Sequence, residues 1–111
     1  MMQDSMLAFY RAVEALFNKI EEKSIAKFNI VATDHKAVLI PDYDLIVYMF
    51  DNGRLKIEQR SGVYAYSLDI DRRYSSSDRE EKANRKLLPE LEDLHELREV
   101  VIKYLENLAK R

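Results

Sequence analysis

Six basic side chains fall close together in the second half of the chain: Arg72, Arg73, Arg79, Lys82, Arg85 and Lys86. Asp78, Glu80 and Glu81 offset part of that charge, leaving residues 72–86 at +3, and Tyr74 lies inside the run. Guanidinium and ammonium groups neutralise phosphates, and an aromatic ring stacks on an unpaired base. Residues of these types at this density point to contact with nucleic acid, single strands favoured. Lys56 and Arg60, at alternating positions of an apolar-rich run upstream, are expected to extend the basic path.

Carboxylates suggest a different chemistry. Pro41-Asp42 is followed by Glu58-Gln59-Arg60 across a strongly apolar segment. Two carboxylates beside a cation can hold a divalent metal. Over residues 41–60 the pattern resembles the Pro-Asp and Glu-x-Lys elements of PD-(D/E)xK nucleases. The resemblance implies metal-dependent phosphodiester cleavage, with Asp42 and Glu58 as metal ligands. Arg60 stands where that family has lysine. The register expected below also separates Asp42 from Glu58 by about 16 Å, on opposite sheet faces. A non-enzymatic role therefore ranks ahead of the nuclease, and no catalytic residue, metal or cofactor is expected. His35 and His95 are the only histidines, and Asp93 and His95, two apart on a helix, do not face each other. Ser75–Ser77 have no nearby histidine base, and two glycines leave no phosphate-cradling loop.

The elements that must position these groups centre on Tyr43 to Asp71. Asn52-Gly53 between apolar runs signals a hairpin, because a type I′ turn needs positive φ at both central residues. A two-residue turn there sets Asp51 opposite Arg54, Phe50 opposite Leu55, Tyr48 opposite Ile57 and Ile46 opposite Gln59. One face then carries Ile46, Tyr48, Phe50, Leu55 and Ile57, joined by Tyr64, Tyr66, Leu68 and Ile70 if Ser61-Gly62 is a second turn. Upstream, residues 25–33 and 37–40 read as two further strands, with Asp34-His35-Lys36 and Pro41-Asp42 as turns. Val38, Ile40, Leu45, Val47 and Met49 fall on the second face. Such a patch needs a cover: a helix of this chain, a second subunit or a ligand.

Met6, Phe9, Tyr10, Val13, Leu16, Phe17 and Ile20 recur at helical spacing, so residues 4–22 read as an amphipathic helix covering the first sheet face. Residues 72–78 read as a loop, and 79–111 as a helical segment broken near Pro89. Leu91, Leu94, Val101, Leu105 and Leu108 form an apolar stripe that suits packing on the sheet or a helix-mediated dimer. The expected fold is a single α+β domain: an N-terminal helix, an antiparallel meander of about five strands, and a C-terminal helical segment on the sheet.

Composition sets outer bounds. The 111 residues are 47% hydrophobic and 34% charged, as in a single globular domain, with a formal charge of −2 and no cysteine. Net charge offers no global attraction to nucleic acid or anionic membrane. No apolar run approaches the ~20 residues of a membrane span, and Met1–Ala8 lack the pattern of a secretory signal. A cytoplasmic location is expected, and the few glycines and prolines with many charges suit a heat-stable protein. The favoured function is a small homodimeric module contacting single-stranded DNA or RNA. The alternatives are a protein-interaction module (an inhibitor or assembly subunit) using the apolar sheet face, and the nuclease.

Overall fold

The computed structural model describes residues 4–41, 44–59, 66–71 and 94–111. Helix α1 (Asp4–Lys23) is followed by a 3-10 turn (Ile25–Lys27) and five strands. These are β1 (Ile30–Val31), β2 (His35–Ile40), β3 (Leu45–Phe50), β4 (Arg54–Gln59) and β5 (Tyr66–Asp71), and helix α2 (Leu94–Lys110) closes the chain. The strands form one antiparallel meander in sequence order. Four strands are full length; β1 adds only two residues at the edge. The expected α+β architecture is therefore present, with four full strands rather than five. The expected loop at 72–78, helical residues 79–93 and the Pro89 break lie outside the described residues.

The first strand is shorter than its alternating pattern suggests. Ser24, in an extended conformation, accepts from the Ala26 N–H at 3.2 Å and starts the 3-10 turn instead. A serine after a helix competes in this way for local backbone donors. Phe28 turns toward α1, its ring 5.4 Å from that of Phe17. Asn29 then meets β2 twice: its N–H donates to the Ala37 carbonyl at 3.0 Å, and its Oδ1 accepts from the Leu39 N–H at 2.8 Å. His35 and Lys36, expected in a turn, open β2.

The decisive departure is the β3–β4 hairpin. Met49 faces Leu55, Tyr48 faces Lys56, Val47 faces Ile57 and Leu45 faces Gln59. This is one residue away from the two-residue-turn register. The connection contains three residues, Asp51, Asn52 and Gly53. A type I′ turn would need positive φ at Asn52 as well, but in this hairpin only Gly53 has it, at 89°. The Asn52 side chain accepts from the Arg54 N–H at 3.0 Å, and the Gly53 N–H donates to the Phe50 carbonyl at 3.0 Å. That is the pattern of a type I turn closed by a left-handed glycine, the usual three-residue hairpin. The Asp51 N–H also donates to the Asp34 carbonyl at 2.9 Å, tying this turn to the β1–β2 loop.

A one-residue slip exchanges the faces of everything downstream. Leu55 and Ile57 leave Tyr48 and Phe50 and join Val38, Ile40, Leu45, Val47 and Met49. That face, not the one carrying Tyr48, is covered by the helices. Phe9, Tyr10, Val13, Phe17 and Ile20 of α1 and Leu97, Val101, Leu105 and Ala109 of α2 form one core with it. Lys36, at its margin, pairs with Glu21 of α1 at 2.8 Å. The alternative register would place Lys56 and Glu58 under the helices in place of Leu55 and Ile57. Losing those two side chains from the core forgoes about 3–6 kcal/mol, before any cost of burying charge.

The expected interface is thereby reassigned. Val38, Ile40, Leu45, Val47, Val101 and Leu105 are buried in the intramolecular core, and Met49 and Leu108 are partly buried against it. Leu94 opens α2, and Leu91 lies outside the described residues. Helices of the same chain cover this patch, so it is not a face held open for a second subunit. Truncation should reveal the same asymmetry. Leu45→Ala should cost about 2–5 kcal/mol in urea unfolding, and Tyr48→Ala less; the reverse order would contradict the assigned faces. Gly53→Ala should cost about 1 kcal/mol or more, since alanine resists positive φ.

Candidate functional site

The sheet face opposite the helices is built from alternate residues of three strands. β2 contributes His35, Ala37 and Leu39; β3 contributes Ile46, Tyr48 and Phe50; β4 contributes Arg54, Lys56 and Glu58. Ala37 and Ile46 are buried there yet lie outside the helix-side core. His35, Tyr48 and Phe50 are partly exposed. Among the described residues neither helix packs on this face.

Three rings gather at the hairpin end. Tyr48 and Phe50, two apart on β3, are stacked with centroids 6.2 Å apart and 23° between planes. His35 lies directly across from Phe50, its ring 5.0 Å from Phe50 and 5.7 Å from Tyr48. Ala37, opposite Tyr48, contributes only a methyl group beneath this cluster. The His35 ring is anchored from the β1–β2 loop: Nδ1 lies 2.7 Å from Asp34 Oδ1. An ionised carboxylate only accepts, so this bond needs the proton on Nδ1.

Two cations border the rings. The Arg54 guanidinium carbon sits 5.7 Å from the Phe50 centroid, and Lys56 Nζ sits 5.8 Å from the Tyr48 centroid. Both distances lie within cation–π range. Lys56 also reaches Glu58 Oε2 at 3.3 Å, two residues along β4 on the same face. By register, Asp69 of β5 stands opposite Lys56 and Asp71 opposite Arg54. The face thus sets the rings of β2 and β3 beside the cations of β4, with the carboxylates of Asp34 and Glu58 against His35 and Lys56.

Of the residues singled out from sequence, Lys56 is at this site. Arg60, Arg72, Arg73, Tyr74, Arg79, Lys82, Arg85 and Lys86 lie outside the described residues, as does Asp42. Glu58 serves as the Lys56 partner, and no group of three histidine or carboxylate side chains that could hold a metal occurs among the described residues. Tyr48 and Phe50 share a face, as alternation predicts; His35, expected in a turn, and Arg54, expected opposite Asp51, join them there. Their signal was present in Arg-Leu-Lys-Ile-Glu-Gln, residues 54–59, whose alternation sends Leu55 and Ile57 one way and Arg54, Lys56 and Glu58 the other. No protein-family model, curated protein or solved structure matches this chain.

The Lys56–Glu58 pair joins partly exposed side chains, and such pairs hold cations weakly. A double-mutant cycle with Lys56→Gln and Glu58→Gln should return a coupling of about 0–1 kcal/mol by thermal unfolding. A coupling of several kcal/mol would mean that Lys56 is committed to Glu58.

Proposed function

We propose that the protein binds single-stranded nucleic acid on the outer sheet face, with bases stacking on Tyr48 and Phe50 and with Lys56 and Arg54 contacting phosphates. One observation carries the reading: stacked aromatic rings at alternate positions of a strand, with a cation over each ring. Aromatic platforms of this kind bind bases without strict sequence preference, because every base presents a π-face. A cation–π contact at a partly exposed site is worth about 0.5–1 kcal/mol. A phosphate can therefore draw the cation from its ring as a base takes its place. The basic run at 72–86 adds charge for a longer strand. Since the whole chain has a net charge of −2, attraction should be local, not long-range.

A second reading is favoured by the carboxylates. Asp34 and Glu58 touch His35 and Lys56, and Asp69 and Asp71 stand opposite the two cations in register. A surface of rings, arginine and mixed charges also suits a protein partner, a second copy of this chain included.

Fluorescence anisotropy with short labelled DNA and RNA strands, at low and moderate salt, separates the two. Nucleic-acid binding should weaken as salt rises. Tyr48→Ala and Phe50→Ala should each cost about 1–3 kcal/mol of binding, with folding checked by circular dichroism. Lys56→Gln should reduce the salt slope by about 0.7. Absence of binding at low salt would remove the nucleic-acid reading and leave the protein partner in front, tested by light-scattering mass.

A further inference from the structure

The third ring of the platform differs from the other two in that it can change charge. Histidine is the one side chain whose ordinary titration falls between about pH 5 and 8. The chain has two histidines and no cysteine, so few side chains compete for that window. His35 is anchored: its Nδ1–H donates to Asp34 Oδ1 at 2.7 Å, and the Phe50 and Tyr48 rings lie 5.0 and 5.7 Å from its own. Any proton gained must therefore go to Nε2. That event turns Nε2 from an acceptor into a donor and adds a positive charge to the aromatic band.

We infer that His35 makes ligand binding at this platform pH-responsive, with protonation strengthening the hold on a phosphate-bearing strand. The inference rests on the nucleic-acid reading and names a regulation of the same site. Asp34 in the preceding loop is the partner of His35, and Asp51 in the hairpin is tied to Asp34 through backbone. On β4, Arg54, Lys56 and Glu58 share the face, and Tyr48 on β3 carries a phenol. β1 contributes Ile30 and Val31 and no charge. Glu21 of α1 pairs with Lys36 on the opposite face. With neutral His35, the described side chains of the face hold two cations, Arg54 and Lys56, against the carboxylates of Asp34 and Glu58. Asp69 and Asp71 of β5 stand opposite Lys56 and Arg54 in register, and protonation of His35 adds one positive charge beside the rings.

The sign follows from the ligand. Phosphates stay anionic across this pH range, so a new cation beside the stacking surface favours the bound state. Affinity should rise on acidification and fall again on return.

The test is anisotropy with labelled oligothymidylate at constant ionic strength, comparing wild type, His35→Gln, His35→Arg and His95→Gln. The full chain is used throughout, with folding followed by circular dichroism at each pH. Wild type and His95→Gln should bind roughly three- to fivefold tighter at the acidic end, the size expected for one partly exposed charge. His35→Gln should bind weakly with a flattened profile. His35→Arg should bind tightly at both ends, because its charge is permanent. If His35→Gln keeps the wild-type pH profile, or if His35→Arg shows no gain at high pH, the inference is overturned while the platform reading stands. If wild type and His35→Arg bind the strand at no pH, the nucleic-acid reading fails and takes this inference with it.

Discussion

A glycine at φ 89° in the β3–β4 turn sets the architecture of both sheet faces. Gly53 closes a three-residue connection, and Asn52 spends its side chain on the Arg54 N–H. The turn length decides parity, parity decides which residues of β4 meet the helices, and that decides what remains on the other side. Leu55 and Ile57 go under α1 and α2; Arg54, Lys56 and Glu58 go to the face of Tyr48 and Phe50. Hydrophobic burial enforces the same choice, since the alternative register would bring a lysine and a glutamate beneath two apolar helix stripes. Local turn chemistry and core packing agree, as expected of a sequence that specifies one fold.

The outer face follows as a consequence. β3 reads Leu-Ile-Val-Tyr-Met-Phe, apolar on both sides, so one side is spent on the core and the other leaves its rings on the far surface. Rings left there are costly to expose, and the structure offsets this by stacking them on each other, on His35 and beneath two cations. Those same contacts are individually weak and exchangeable. In the proposed reading the face acts through short-range stacking and local phosphate contacts.

Much of the fold was legible in sequence. The heptad-like stripe of α1 and the leucine and valine spacing of α2 read directly as helices, and the order of the meander followed from its turn residues. The grouping of Ala37 and Leu39 with Ile46 and Tyr48, and of Val38 and Ile40 with Leu45 and Val47, was also readable from alternation. Two features were not. Ser24 diverts residues 25–27 into a 3-10 turn and Asn29 reaches β2 with its side chain as well as its backbone, both of which propensity for strand hides. Asn-Gly supports either a two-residue or a three-residue hairpin, and an all-apolar β3 gives no alternation to arbitrate. The site inherited that ambiguity: with parity wrong by one, Tyr48 reads as core and the apolar helix-side face reads as an interface.

Backbone nuclear Overhauser contacts across the β3–β4 hairpin test the register most directly. The three-residue turn predicts cross-strand contacts of Met49 with Leu55 and of Val47 with Ile57. Contacts of Phe50 with Leu55 and of Tyr48 with Ile57 would show the two-residue register instead. That result would return Leu55 and Ile57 to the side of the rings and dissolve the aromatic–cationic face on which the functional account stands.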